Sequence, residues 1–203
     1  MARNRKVMKN SMRDSRIKRK TKETDIDLFL CLDGGEVEID TGIGFFDHML
    51  TAFAVHGGFG LKVRVEGDTF VDDHHTVEDT GIVLGQAFME ALGDKSSIER
   101  YASFYIPMDE ALAFCSVDIS GRPFLVFDAN FPQEKCGDYT AAMTVEFMRA
   151  LAFNAGITMH IKSEYGSNSH HITEAIYKAA AHALKAAVKQ NDSGKPLSTK
   201  GVL

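Results

Sequence analysis

The stretch DDHHTVEDTG, residues 72–81, has the same HHxxE spacing as NSHHITEAIY, residues 168–177, in the second half of the chain. A shift of 96 positions brings His74 onto His170 and superposes the flanking segments as well. Self-similarity at one fixed offset is typical of a duplicated structural unit. The sequence therefore predicts two halves built on one plan.

Matching strand and helix patterns flank the two motifs. GLKVRVEGD (60–68) and GITMHIKSE (156–164) precede them and alternate as half-buried strands do. The residues after each motif follow a helical period. Further upstream, FFDHMLTAFAVHGG (45–58) and MTVEFMRALAFNAG (143–156) predict a short helix that ends near glycine. The order helix, strand, loop, helix therefore occurs twice.

Additional strands are predicted in 23–34, in 36–42 and in 111–129, where the last segment divides into a hairpin around Ser120-Gly121. Each half is thus a mixed α+β unit with a sheet on one side and helices on the other. The predicted boundaries are a basic N-terminal tail at 1–20, a first repeat at 21–97, a second repeat at 98–190 and an irregular C-terminal tail at 191–203.

Composition limits the class of protein. A chain of 203 residues with 44% hydrophobic residues can bury a substantial core. Its net charge of −5 argues against a nucleic-acid binder, and no apolar run reaches the length of a membrane helix. The three cysteines form no CxxC pair, which indicates a reducing compartment. We expect a soluble cytoplasmic protein.

The HHxxE spacing has a specific chemical consequence on a helix. A glutamate at the fifth position can share a face with either histidine, three or four residues before it, whereas neighbouring histidines diverge by about 100°. One metal cannot easily take both histidines, so two such motifs can complete each other's sites, and His48 and Glu146 can add one ligand each. A single motif is equally typical of a polar helix start. The repetition favours a metal site, with imidazole and carboxylate ligands suited to Mn, Fe, Co or Zn.

Several long motifs resemble the imidazoleglycerol-phosphate dehydratase family. They are GIGFFDHML, DDHHTVED, ALGD, PMDEAL, VDISGRPF, GSNSHHITEAIYKA and STKGVL, in the expected order from about Thr21 to the C-terminus. The resemblance implies two tandem copies of a ribosomal-S5-domain-2-like unit and a 24-subunit homo-oligomer. It also implies two Mn²⁺ ions per active site and the dehydration of imidazole glycerol phosphate to imidazole acetol phosphate in L-histidine biosynthesis.

The resemblance also assigns roles to individual residues. The implied metal ligands are His48, His74, His75, Glu78, Glu146, His170, His171 and Glu174, where Glu146 stands in place of a histidine that many members carry. The implied substrate contacts are Glu23, His48, His56, His74, Glu78, Arg100, Arg122, His170, Lys178, Ser198, Thr199 and Lys200. Glu174, Glu78 and Glu23 are the candidate proton-transfer groups, without an assignment of each to one step. His160 is a second candidate for the place of Glu146, but its strand position favours a polar sheet residue.

Two other functions remain compatible with the same residues. Paired metals with nearby basic residues also serve a two-metal phosphate-ester hydrolase. A metal-storing or scaffold shell would explain the histidines and glutamates, but it leaves Arg100, Arg122 and the STKG segment without a function.

Overall fold

The computed structural model describes residues 12–199 and 201, and it contains two units of the same topology. The first unit consists of β1 (Asp14–Lys20), β2 (Thr24–Cys31), β3 (Val37–Asp40), α1 (Gly44–Gly57), β4 (Gly60–Gly67) and α2 (His74–Leu92). The second consists of β5 (Tyr101–Met108), β6 (Ala111–Asp118), β7 (Phe124–Asp128), the two-residue strands β8 (Lys135–Cys136) and β9 (Tyr139–Thr140), α3 (Met143–Ala155), β10 (Thr158–Tyr165) and α4 (Ser169–Ala187).

Each unit has a four-stranded mixed sheet. The strand order is β1-β2-β4-β3 in the first sheet and β5-β6-β10-β7 in the second. In the first sheet β3 pairs in parallel with β4, and in the second sheet β7 pairs in parallel with β10. The other strand pairings in both sheets are antiparallel. The duplicated α+β fold predicted from the sequence is confirmed.

The four helices form a layer that joins the two units. α2 packs against α3 and α1 against α4, while α2 covers the first sheet and α4 the second. The buried side chains of both sheets and all four helices belong to one continuous hydrophobic core. α1 and α3 each end at a glycine in the left-handed region, Gly58 and Gly156, both with φ of 66°. The first turns of α2 and α4 follow directly after the loops that leave β4 and β10.

The predicted N-terminal tail is wrong from Asp14 onward, because that segment forms the edge strand of the first sheet. Its side chains have partners on neighbouring elements. Ser15 donates a hydrogen bond of 2.7 Å to Glu90 of α2, and Arg19 forms an ion pair with Asp79 of the same helix. The basic residues of this segment are therefore neutralised by the first unit.

The predicted hairpin around Ser120-Gly121 is also wrong. β6 and β7 do not pair with each other, because β10 lies between them and pairs with both. β5 was not predicted, since Tyr101 and Tyr105 on its exposed face weaken the contrast with the apolar Ala102, Phe104, Ile106 and Met108 on its inner face. Within residues 12–199 and 201, no helix combines the length and apolar character needed to cross a membrane.

Candidate active site

Two histidines converge on one carboxylate oxygen where α1 meets α4. His170 and Glu174 are four residues apart at the start of α4, and His170 Nε2 lies 3.3 Å from Glu174 Oε2. His48 of α1 approaches the same oxygen, with an Nε2 to Oε2 distance of 3.4 Å. One ligand atom from each residue can be chosen so that all three lie within 4.8 Å of one another. The packing of α1 on α4 thus assembles a group from residues 122 positions apart in sequence.

Glu174 is held in the ionised form by Lys178. The carboxylate is buried, with only 6% of the residue exposed, and burial opposes its ionisation. The Lys178 ammonium donates to Glu174 Oε1 at 2.5 Å, and this bond and charge outweigh burial, so the pKa of Glu174 lies below its usual value. Lys178 therefore occupies one carboxylate oxygen while the other faces the two histidines.

The donor set fits a divalent metal ion. Two imidazole nitrogens and a carboxylate oxygen are ligands that Mn, Fe, Co and Zn accept, and three protein ligands leave coordination positions for substrate or further ligands. Within the part of the chain that the structure describes, no second group of three or more His, Cys, Asp or Glu residues brings its ligand atoms this close.

The first motif forms a smaller group. His74 Nε2 lies 3.1 Å from Glu78 Oε2 at the start of α2, in the same i, i+4 relation as His170 and Glu174. Glu146, in the first turn of α3, is instead ion-paired with Arg149 one turn further along. A cluster of three ligands that includes Glu146 does not occur among the described residues.

The second histidine of each motif faces a different carboxylate. His75 Nδ1 lies 3.0 Å from Asp68 Oδ2, and His171 Nδ1 lies 2.6 Å from Glu110 Oε2. The bond to Asp68 raises the pKa of His75. The bond with His171, assisted by backbone N–H donors, lowers the pKa of Glu110 to about 2. Glu23 approaches His75 Nε2 to 3.9 Å, so the predicted acid of the Glu23-Thr24 segment lies beside the first motif.

Two predicted phosphate contacts meet at Asp118. Arg100 is 7% exposed, and its Nε and Nη2 donate to the Asp118 carboxylate at 2.7 and 3.2 Å. Arg100 also donates from Nη1 to the carbonyl of Leu197 at 2.5 Å, so it anchors the C-terminal segment directly before Ser198 and Thr199. Arg122 is exposed, and its Nη2 lies 3.8 Å from the same Asp118 carboxylate. Lys200 lies outside the described residues.

The remaining histidines are not members of these groups, although His56 interacts electrostatically with Lys178 and Glu174. His56 is in the last turn of α1, and its ring centroid is 5.5 Å from that of His182 on α4. Burial lowers the pKa of both imidazoles, and the cation of Lys185 acts in the same direction on each. His160 is on the exposed face of β10, opposite Ser116 and Val126 on the neighbouring strands, as its strand position predicted.

Four acids whose carboxylates contact side chains of predicted site residues were not predicted from the sequence: Asp68, Asp109, Glu110 and Asp118. Asp68 ends the strand segment before the first motif, which is a detectable signal. Glu110 follows β5 in the turn to β6, so it could not be placed while β5 was unrecognised. Asp118 is four residues before Arg122, but only the ends of β5 and β6 bring it to Arg100.

Comparison with known proteins gives one consistent result. A family model described as imidazoleglycerol-phosphate dehydratase matches residues 41–184. The protein of that name from Acetivibrio thermocellus is 56% identical over 189 residues, covering 92% of this chain and 97% of the relative. The one from Thermoanaerobacter pseudethanolicus is 56% identical over 195 residues, covering 95% and 100%.

A solved structure agrees with the fold as well as the sequence. The crystal structure of imidazoleglycerol-phosphate dehydratase from Staphylococcus aureus superposes with a TM-score of 0.81 at 42% identity, covering 88% of this chain and 99% of that chain. Sequence, fold and the convergence of His48, His170 and Glu174 therefore lead to one assignment. The chain belongs to the imidazoleglycerol-phosphate dehydratase family.

Proposed function

We propose that the chain is a lyase of L-histidine biosynthesis that dehydrates imidazole glycerol phosphate to imidazole acetol phosphate. One observation carries the proposal: in a chain of this family, His48, His170 and Glu174 converge on a single point. The family name denotes a dehydratase, and the two-metal phosphate-ester hydrolase finds no support in the comparisons.

Manganese is the proposed ion, with two Mn²⁺ per active site. The proposed ligands are His48, His74, His75, Glu78, Glu146, His170, His171 and Glu174. The support is the mixture of imidazole and carboxylate donors and the geometry of the His48, His170 and Glu174 group. A bound ion would supply Lewis-acid stabilisation of the substrate's imidazole ring once the ring has lost its N–H proton.

The proton transfers are proposed for three carboxylates. Glu174 is ionised beside Lys178 and is suited to accept a proton, and Glu78 is the equivalent group in the first motif. Glu23 is proposed to protonate the departing hydroxyl, so that it leaves as water. Loss of a proton from the neighbouring carbon then gives an enol, which becomes the ketone. The ring N–H proton replaces the one that Glu23 gives to the hydroxyl, and the proton lost from carbon returns to the ring nitrogen. Substrate minus water therefore equals product, and every carboxylate ends in its starting state.

Basic residues are proposed to hold the phosphate group. Lys178 contacts the proposed metal ligand Glu174 in the first half of α4, while Arg100 and Arg122 meet at Asp118 near the other end of α4, where the Arg100 backbone N–H donates to the Ala187 carbonyl. Ser198, Thr199 and Lys200 are proposed to add two hydroxyl donors and a cation from the segment that Arg100 anchors. His56 is proposed as a further substrate contact near Lys178.

We further propose a homo-oligomer, of 24 subunits as in the family. The support is that His75 Nε2 lies 3.9 Å from Glu23 and His171 Nε2 lies 3.5 Å from Asp109, and neither histidine belongs to the His48, His170 and Glu174 group of its own chain. We propose that another copy completes their metal sites. Each ion would then link two chains, and removing metal should shrink the particle. Light scattering of chelated and Mn²⁺-restored protein tests this, and an unchanged large particle after verified metal loss would refute it.

The buried free thiols of Cys31, Cys115 and Cys136 support a reducing, cytoplasmic location.

The function is tested by incubating Mn²⁺-loaded protein with imidazole glycerol phosphate. We expect the ketone product to accumulate without release of inorganic phosphate. Protein stripped of metal should be inactive, and Mn²⁺ should restore turnover. Release of inorganic phosphate in place of ketone formation would contradict the proposal and support the phosphate-ester hydrolase instead.

A further inference from the structure

The second histidine of each motif is held by an acid from outside the motif. His75 Nδ1 faces Asp68, at 3.0 Å from Oδ2 and 3.2 Å from Oδ1. His171 Nδ1 faces Glu110, at 2.6 Å from Oε2. The first histidines differ, since His74 and His170 direct Nε2 to the glutamate of their own motif. The carboxylate contact through Nδ1 is therefore specific to the second histidine and occurs in both repeats.

The two acids come from different places in the two units. Asp68 directly follows β4 in the first unit, and the position 96 residues later is Glu164. Glu164 does not bind His171; its carboxylate lies 3.0 Å from the Lys162 ammonium. Glu110 supplies the contact from the turn between β5 and β6, 61 residues before His171. The same side-chain geometry is thus built from non-equivalent positions, which duplication alone does not explain.

Glu110 is itself firmly oriented. Its Oε1 accepts hydrogen bonds from the backbone N–H of Ser167 at 3.0 Å and of Asn168 at 2.9 Å, just before α4. These bonds leave Oε2 to His171. Asp68 is confined by burial, because its side chain is only 15% exposed. Each acid is therefore held in place before it orients the imidazole.

A carboxylate at Nδ1 determines which ring nitrogen can bind a metal. An ionised carboxylate only accepts, so Nδ1 carries a proton, and in the neutral imidazole the lone pair is then on Nε2, which lies farther from its nearest carboxylate, at 3.9 Å from Glu23 in His75 and 3.5 Å from Asp109 in His171. Carboxylate partners of this kind orient metal-binding histidines and raise their basicity. We infer that Asp68 and Glu110 are positioning residues that fix His75 and His171 in the Nε2-ligating form. This inference rests on the proposed function, since it requires that these histidines bind the metal.

The test is a Mn²⁺ titration of the purified full chain, with free Mn²⁺ measured by electron paramagnetic resonance. Asp68→Ala and Glu110→Ala should each weaken Mn²⁺ binding about 10- to 100-fold, the usual effect of losing such a partner. Asp68→Asn and Glu110→Gln keep an oxygen acceptor and should recover part of the affinity. Glu164→Ala is the matched control, because it removes the acid at the position equivalent to Asp68, and it should bind Mn²⁺ like the wild type.

Two results would overturn the inference in distinguishable ways. Wild-type affinity in both alanine variants would reject the positioning role while leaving the proposed metal-dependent function intact. A wild-type protein that binds no Mn²⁺ would reject both together. Glu110 also accepts hydrogen bonds from the backbone N–H groups of Ser167 and Asn168, just before α4. Circular dichroism must therefore show that each variant is folded. The Asp68 variants provide an independent test, since Asp68 makes no contact with that segment in the described hydrogen bonds.

Discussion

We expect the side chain of His48 to bind metal and that of His160 not to, although both are exposed. His48 contributes to the convergent group at α1 and α4, whereas His160 is on an open sheet face. We expect His48→Ala to weaken metal binding by more than about 100-fold, since even outer partners of ligands are worth 10- to 100-fold. His160→Ala should leave metal content unchanged. Metal analysis by mass spectrometry of both variants decides this, and the reverse pattern would exchange their roles.

His56 and His182 predict a pH dependence of stability. Burial lowers the pKa of both below the ordinary value, so the folded protein resists protonation where the unfolded chain accepts it, below about pH 6.5. At these two sites the unfolded state then binds more protons, so the pair contributes a fall in the free energy of unfolding as the pH drops through that region. Urea unfolding at pH 7.5 and pH 5.5, at one protein concentration, should show a smaller drop for His182→Gln than for wild type. Equal drops would mean that the pair does not contribute.

At the scale of elements, the contact between α2 and α3 depends on glycine. A Cβ atom added at Gly85 would lie 2.7 Å from the Leu151 carbonyl oxygen and 2.7 Å from Asn154 Cβ, so the helix backbones would have to separate. We expect Gly85→Ala to destabilise the protein by about 1–3 kcal/mol, the usual cost of overpacking.

Gly44→Ala is the control for that substitution. Its Cβ would meet only Asp138 Oδ2 at 3.8 Å, an ordinary contact near the start of α1. Thermal and urea unfolding compare the two variants. If Gly85→Ala were as stable as Gly44→Ala, the close helix contact would not be needed.

At the scale of the whole molecule, the C-terminal segment joins the second sheet to the proposed phosphate site. Gln190 pairs with Ile98, and Leu197 accepts from Arg100, so the segment is fixed as far as Leu197. We expect Lys200→Ala to lower kcat/KM roughly tenfold to a hundredfold, because a charge-assisted contact is worth about 1.5–3 kcal/mol. Lys195→Ala removes an exposed lysine of the same segment and should have no such effect.

Truncation after Leu197 extends that test. It keeps the residue whose carbonyl binds Arg100, so folding and metal content should be retained while KM rises. Steady-state kinetics and unfolding curves measure both. Wild-type kcat/KM in the truncated protein would show that Ser198, Thr199 and Lys200 do not contact the substrate.

The sequence by itself determined the duplicated plan, the four helices, the central strands and that the glutamate of each motif can lie beside one of its two histidines. These features depend on local periodicity, which the amino-acid order records directly. The structure decided that these histidines are His74 and His170. The sequence did not determine the edge strands β1 and β5. Charged residues in β1 and aromatic residues on both faces of β5 obscure the alternation of polar and apolar positions.

Only the tertiary structure decided which distant groups meet. His48 joins Glu174 because α1 packs on α4, and Glu110 reaches His171 because the β5–β6 turn lies beside the start of α4. The pairing of Arg100 with Asp118 likewise follows from the register of β5 on β6, which places Tyr101 opposite Asp118. Such contacts join residues far apart in sequence, so their geometry depends on helix packing and sheet order. No short-range sequence pattern predicts how helices and strands pack against one another.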